Sequence, residues 1–534
     1  MKNKNTGYLL LTILLGLIIL APQHNIQVYL AQGDHGRDLY AFQSTLEGKT
    51  PYRDYFWEYG PLMPYYYSLF FKFLGIHIPS ILIGKIILNL SSGVFIYLIL
   101  STLITPLMAV LGACWFWVFW PDFWHTYNHA GGVTMILANL YLLFLYLQDQ
   151  KVKYLYWGLI PLFLLSLIKV NFGWIGLLAF LLCIKIIDQV YKVPLTPSKK
   201  KFYLISLIGL PLLTVLIYFF FVKGLPLYYI RQCLPYYKSD HVYNVPLFSA
   251  LAILFKLTRD SMTQSNITIV FAFLTLFCTA HAAQKLLDPQ TEKGLKNKIL
   301  LTVLILIIFY IANLHELLAS GVDYTLNWSR PFDFMLIFVI LWFGLRDFSF
   351  PIRLLSQAAL ILILLGNFYL QQVGTNAFRV SGHYLPFDKA KGYYMNPPDW
   401  TNTVIRTTNY LKETLKEDET FFALPYETLY YYLTDKKNPT PRQQRFFDHM
   451  NITPQQETMI IAALEEKKIN YIIVSNRAVS REPGLGVLGG SYCPLIGQYI
   501  LENFKRAAQF GPLDIEGGWA WNHGIKVLKR KNPL

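Results

Sequence analysis

Eleven stretches of this chain are apolar enough to cross a lipid bilayer, and that limits the folds open to it more than any other feature. Lipid offers no partners for backbone donors and acceptors, so a span must be a helix of roughly 20 largely apolar residues crossing about 30 Å of hydrocarbon. The stretches lie near 7 to 29, 78 to 100, 104 to 120, 131 to 148, 154 to 170, 172 to 190, 202 to 222, 266 to 286, 299 to 318, 331 to 345 and 352 to 372, with 247 to 259 as an amphipathic twelfth candidate. After residue 372 the character changes. Residues 373 to 534 hold 20 basic and 16 acidic side chains, whereas the first 372 hold 43 charged residues in all. Two units are expected, a membrane domain over 1–372 and a soluble domain over 373–534.

Lys2 and Lys4, Lys151 and Lys153, Lys192 with Lys199 to Lys201, Lys285 with Lys293 to Lys298, and Arg346 with Arg353 all fall on one side of the spans. By the positive-inside rule that side is cytoplasmic. An odd number of crossings then places the loops 30–77, 121–130, 223–265 and 319–330 and the C-terminal domain outside the cytoplasm, the N-terminus inside, and the protein in the cell (inner) membrane. The net charge of +15 divides as +11 before residue 373 and +4 after it. No compact basic face results, which argues against a nucleic-acid partner. The first span has a basic start like a signal peptide, but no small-x-small cleavage site follows it, so it is read as an anchor. Cys114, Cys183 and Cys278 fall within spans as apolar fillers; Cys233 and Cys493 both fall outside, where a disulfide can persist.

The first outer loop is some 48 residues long, and long loops in compact proteins are usually functional or disordered. Its composition is not that of disorder. It reads Gly33-Asp34-His35-Gly36-Arg37-Asp38, then Gly48-Lys49-Thr50-Pro51-Tyr52-Arg53-Asp54, then Glu58-Tyr59-Gly60-Pro61-Leu62 and an aromatic run from Tyr65 to Phe73. Apolar spacing predicts helices over 36–47 and 62–74, lying in the interface and joined by a turn at Gly48 to Pro51. If the first of them begins near Gly33, then Asp34, Arg37 and Asp38 share a face at i, i+3 and i+4. Taken alone, that pattern is as well explained by a solvated ion pair of little energetic worth.

A basic start, one span, an acidic residue opening a helix, a Gly-x-x-Pro-Tyr turn, another acidic residue and a Gly-Pro-Leu entry to an aromatic helix together resemble the first outer loop of the C-type glycosyltransferases (GT-C). The branch most resembled holds protein O-mannosyltransferases and the lipid A aminoarabinose transferase. The resemblance covers residues 1 to about 130 in motif and the rest in layout. It implies a GT-C-like α-helical membrane domain of about eleven spans with an extracytoplasmic α/β domain. It further implies an inverting glycosyltransferase that moves a sugar from a polyprenyl-phosphate donor to a lipid, glycan or protein acceptor. The acidic residue after the first span, matching Asp34, would act on the acceptor. His35 stands where many relatives have a second acidic residue, and His125 and His129 lack a third ligand. No cofactor is expected, and a divalent metal has no ligand set to support it.

A polyprenyl phosphate is already a good leaving group, so one carboxylate to take the acceptor's proton suffices, in contrast to the carboxylate pair of glycosidases. Asp34 is the expected base, with Asp38 as its alternative. The developing phosphate charge needs cations at the outer face, and Arg37, Arg53, Lys85, Lys169 and Arg330 are the candidates. Ionisable residues at membrane depth are costly unless they function, although long side chains can snorkel to the headgroups. Lys169-Val170-Asn171-Phe172-Gly173 also resembles a Lys-x-x-x-Gly feature of relatives. Asp54, Glu58, Tyr59, Asn128 and His129 are expected to line the substrate pocket. His315 and Glu316, adjacent in sequence, are expected to point to different faces and act separately.

In the tail, helices are expected over 400–416, 454–467 and 494–504 and strands over 420–424, 469–474 and 525–528, an alternation typical of a small α/β domain. The competing reading of the whole chain is a transporter or lipid flippase. Such proteins usually show paired halves with polar residues near the midplane. No internal repeat is visible here, and the polar residues gather at one end of the spans.

Overall fold

The computed structural model describes residues 2–21, 26–27, 32–119, 127–227, 230, 293–320, 323–346, 348–380, 385–390, 393–394, 398–480, 484–513 and 522–532. The span expected at 266–286, the stretch 247–259, most of the loop 223–265, His125, Cys233, Cys278 and Lys285 lie outside these residues.

The apolar stretches fold as helices: α1 (Lys2–Leu20), α4 (Ile78–Ser101), α5 (Pro106–Phe119), α6 (Asn128–Asp149), α7 (Lys153–Ile168), α8 (Val170–Tyr191), α9 (Pro197–Val222), α10 (Lys293–Asn313), α11 (Arg330–Leu345) and α12 (Phe350–Val380). Their interior is a single apolar cluster running from Leu20 through Trp115 and Phe180 to Phe338 and Leu364. Six are long and apolar enough to cross a membrane by length and composition. Within α9, Ile205–Gly209 widens to a π-helix just ahead of Pro211, whose missing N–H leaves a carbonyl of the preceding turn without its donor. The first span stops at Leu20, short of the expected residue 29, because Pro22, Gln23, His24 and Asn25 interrupt the apolar run. Ile26–Gln27 beyond it form strand β1, parallel to β2 (Tyr393–Tyr394).

At the ends of the spans away from the sheet-bearing C-terminal region, α6, α8 and α9 meet around Asp188. It accepts from the Tyr146 hydroxyl and from the Lys199 ammonium, the latter at 2.6 Å. Lys199, counted in the sequence among the basic residues on one side of the spans, is 1% exposed.

The first outer loop forms α2 (Gln32–Leu46) and α3 (Leu62–Leu74), close to the expected helices. Past residue 398 come α13 (Pro398–Thr414), α14 (Leu429–Thr434), α15 (Pro454–Glu466) and α16 (Pro494–Asn503), with strands β3 (Phe421–Leu424), β4 (Tyr471–Ser475), β5 (Phe504–Phe510) and β6 (Ile525–Arg530). The sheet order is β3-β4-β6-β5, parallel between β3 and β4 and antiparallel elsewhere. One face of the sheet packs Phe422, Leu424 and Ile472 against Ile460, Leu464 and Ile496 of α15 and α16. The other, through Phe421, Ile473 and Val527, belongs to a core that also contains Phe42, Trp57 and Tyr67 of the first outer loop and Trp400, Tyr430 and Tyr431. The sheet unit and the loop therefore share one hydrophobic interior. That fixes the loop's helices over the outer ends of the spans.

The orientation can be tested with a thiol reagent that does not cross membranes. Intact cells bearing the full chain should be labelled at Met459→Cys, which is exposed on α15, and not at Lys201→Cys, exposed at the opposite end of the spans. Labelling at 201 without labelling at 459 contradicts the arrangement.

Candidate active site

α2 is buried on nearly every side, Leu39, Ala41 and Phe42 on its apolar positions and Arg37 and Asp38 on its polar ones, and its first two turns are pressed against the sheet unit. Gly36 makes that approach possible: a Cβ there would lie 2.2 Å from the Leu429 backbone nitrogen. Arg37 is completely buried, and three carboxylates converge on it. Its Nε and Nη2 donate to Asp38 Oδ1 at 2.9 and 2.7 Å, and its Nη1 donates to Asp34 Oδ1 at 3.0 Å and also to Glu58. The guanidinium lies 5.1 Å from the Tyr59 ring centroid and 5.7 Å from that of Trp57. Charge-assisted contacts of this kind are the strong ones, and a buried charge without them is expensive.

The two aspartates differ sharply. Asp38 is fully buried, and its second oxygen accepts the Tyr127 N–H at 3.3 Å. Asp34 keeps 22% of its side chain exposed. Its Oδ1 takes both the Arg37 bond and one from the Tyr426 hydroxyl at 2.9 Å, while its Oδ2 has no partner among the described residues. Glu58 also accepts from Arg445 at 2.9 Å, and Arg445 in turn donates to His449 Nε2 at 3.1 Å. Loss of solvent pushes the Asp38 carboxyl up to about 6, against the lowering pull of Arg37.

Tyr59 joins this cluster to a second one. Its ring centroid lies 5.1 Å from the Arg37 guanidinium and 5.8 Å from the Lys169 ammonium, which is also near the rings of Phe172 and Trp328 at 5.1 and 5.6 Å. Lys169 is the extended residue (φ −153°, ψ 105°) at which α7 ends and α8 begins, and its ammonium pairs with Glu316. The loop docks on this break: Gly60 donates to Ile168 O at 2.9 Å, and a Cβ on Gly60 would fall 2.0 Å from Leu167 O. His129 lies between the rings of Tyr59 and Trp328, and Asn128 Nδ2 donates to Ile168 O at 3.4 Å.

Asp34, Arg37, Asp38, Glu58 and Tyr59 are thus brought together, with Lys169, Asn128 and His129 next to them. The solvated ion pair that the spacing of Asp34, Arg37 and Asp38 allows is in fact a buried network. Lys85, 8% exposed in the third turn of α4, holds its ammonium 5.7 Å from the ring of Tyr127, the residue whose N–H Asp38 accepts. Arg53 and Asp54 belong instead to the turn at the loop's tip. Asp54 accepts the Thr50 N–H at 2.7 Å, and Arg53 donates to Phe220 O at 3.2 Å. Arg330 opens α11, its Nε buried without a partner among the described residues. Among the described residues, no group of three His, Cys, Asp or Glu is placed to hold a metal ion.

Sequence reading misses Tyr426, Arg445 and His449, which come from the sheet unit and carry no motif. His315 and Glu316 do take separate partners, Asn171 at 2.9 Å and Lys169, but these partners are only two residues apart, on either side of Val170.

No family model matches the sequence, and neither does any curated protein. Among solved structures, ArnT from Cupriavidus metallidurans in the apo state superposes with a TM-score of 0.57 over 98% of both chains at 11% identity. The same protein bound to undecaprenyl phosphate gives 0.54 over 98% of both chains at 10% identity. The apo oligosaccharyltransferase of Archaeoglobus fulgidus gives 0.52 at 11% identity, over 89% of this chain and 70% of that one. The fold is therefore the GT-C fold, a helical membrane domain with a sheet-containing C-terminal region.

Two substitutions test the cluster. Arg37→Met leaves buried Asp38 without its counter-charge and should cost about 3 to 5 kcal/mol, seen as a large loss of thermal stability in detergent. Because Asp38 binds its proton more tightly folded than unfolded, its favourable contribution is full below about pH 4 and lost as pH rises through about 6. Stability of the wild type relative to Asp38→Asn should accordingly fall between those pH values. A difference that rises instead would place the carboxylate in a charge-stabilising site.

Proposed function

From a GT-C fold whose outer face holds one half-fixed, solvent-reaching carboxylate, we propose that this chain is an inverting membrane glycosyltransferase. It moves a sugar from a polyprenyl-phosphate donor to an extracytoplasmic acceptor, with Asp34 as general base. The observation that carries this reading is the division of labour on Asp34: Arg37 and Tyr426 hold Oδ1, and Oδ2 is left for a proton. Asp38, sealed between Arg37 and the Tyr127 N–H, orients Arg37 and takes no proton from the acceptor.

In the reaction the acceptor O–H approaches the anomeric carbon on the face opposite the phosphate. As the new O–C bond forms, the bond from the anomeric carbon to the phosphate oxygen breaks and its electron pair leaves with the polyprenyl phosphate. The acceptor proton passes to Asp34 Oδ2. A single displacement inverts the anomeric centre. Cations must meet the charge gathering on the phosphate. Arg37 is committed to three carboxylates at once, so that work falls to Lys169, which pairs with the single carboxylate of Glu316, and to Lys85 and Arg330. Lys169 borders the same tyrosine ring as the base cluster, so a sugar resting against that ring reaches both the base and the cation for the leaving group. Arg53, held at the loop's tip, is the more remote candidate. Glu58, Tyr59, Asn128 and His129 line the space between, with Asp54 bracing the turn below. The undecaprenyl phosphate bound by ArnT, which shares this fold, fits such a donor.

Asn at position 34 can still accept from Arg37 and Tyr426 but cannot take a proton. Envelope glycans compared by mass spectrometry in cells carrying wild type, Asp34→Asn or no gene should show product only with the wild type, a loss of roughly 10²-fold or more in the variant. Full product from Asp34→Asn at equal protein level would defeat the base assignment. Absence of any gene-dependent glycan change would defeat the transferase reading.

A further inference from the structure

Around the break at Lys169 the structure leaves hydrogen-bonding capacity unspent. Asn128 is completely buried; its Nδ2 donates to a carbonyl, Ile168 O, which can only accept, so its own Oδ1 is the atom left over. Asn171, three residues beyond that carbonyl, is fixed in the same sense by a longer chain of bonds. Ala312 O can only accept, so His315 uses Nδ1–H to reach it, at 2.7 Å. The other nitrogen of a neutral imidazole must then accept, and Asn171 turns its NH₂ toward it at 2.9 Å. Both Oδ1 atoms are buried and neither has a partner among the described residues. Buried amide oxygens are rarely left so, since each costs roughly 1 to 3 kcal/mol unless a ligand or water satisfies it.

We infer that Asn128 and Asn171 form a pair of hydrogen-bond acceptors that recognises the hydroxyl groups of a sugar ring at the α7–α8 break, and that His315 is the positioning residue which fixes the Asn171 amide. The inference rests on the glycosyltransferase reading and adds to it the polarity of the sugar subsite. Two acceptors reward a ligand rich in donors and give nothing to a bare phosphate. Tyr59 and Trp328, flanking His129 beside them, supply flat apolar faces of the kind a sugar ring packs on. The same hydroxyl-bearing ring is carried by the lipid-linked donor and by a sugar acceptor, and the two sources are separable.

The test measures thermal stabilisation of the full-length protein in detergent. The probes are undecaprenyl phosphate, undecaprenyl phosphates carrying glucose, mannose, galactose or N-acetylglucosamine, and the methyl glycosides of the same sugars. Wild type should bind at least one sugar-bearing lipid about tenfold or more tighter than the bare lipid. Asn171→Leu and Asn128→Leu should each remove roughly three- to tenfold of that advantage while bare-lipid affinity stays unchanged. Asn171→Asp and Asn128→Asp keep the acceptor and the shape if either leucine variant fails to fold, and should retain more of the advantage. His315→Phe keeps the ring packed on Phe172 but frees the amide, so it should act in the same direction as Asn171→Leu and add nothing in the double variant. Amide-dependent binding of methyl glycosides alone would assign the subsite to the acceptor. Bare-lipid binding with no amide-dependent preference for any sugar would overturn this inference alone. No binding of bare or sugar-bearing lipid would overturn the glycosyltransferase reading beneath it.

Discussion

Everything at the outer face of this protein depends on one buried guanidinium. Three carboxylates in so small a volume would repel one another and the apolar core, and Arg37 is what allows them to be there. Its planar fork suits the task, since two of its nitrogens meet Asp38 and a third reaches Asp34 and Glu58; a lysine would offer a point charge with no such geometry. The same fork explains why two aspartates one turn apart play different parts. The deeper one is consumed in holding Arg37, and the shallower one is held by it.

The second constraint is the closeness with which the first outer loop is docked. Gly36 lets α2 touch the sheet unit, and Gly60 lets the loop touch the helix break. Side chains at either point would push the layers apart by more than a hydrogen bond can tolerate. Glu58 and Tyr59 are carried on the docked segment, so the ion cluster and Lys169 take their spacing from these backbone contacts. Tyr426 and Arg445 then close the cluster from above, which makes the sheet unit a structural part of the candidate site.

Much of this was legible in the sequence because it is local. Lipid solubility demands long apolar helices, and helical spacing of Leu39, Phe42 and Leu46 marks α2 wherever it packs. Short apolar runs that alternate with helices likewise mark three of the four strands of the sheet; β5, with Lys505, Arg506 and Gln509 exposed, has no such run. What was not legible is long-range. The Tyr426 bond to Asp34 joins residues 392 apart in sequence, and the Arg445 bond to Glu58 joins residues 387 apart. Lys199 shows the same limit, since a lysine in a basic run looks solvated until a buried aspartate from another helix is placed beside it. The end of the first span at Leu20 is written in Pro22 and in the polar residues Gln23, His24 and Asn25 after it.

The central claim is that base and leaving-group cation face each other across Tyr59. An experimental structure of the full chain with undecaprenyl phosphate tests it most directly. The account predicts the phosphate at the outer end of the α7–α8 break, in contact with Lys169, and on the side of Tyr59 away from Asp34. A phosphate bound on the Asp34 side of that ring, or on the lipid-facing surface of α12, would contradict it.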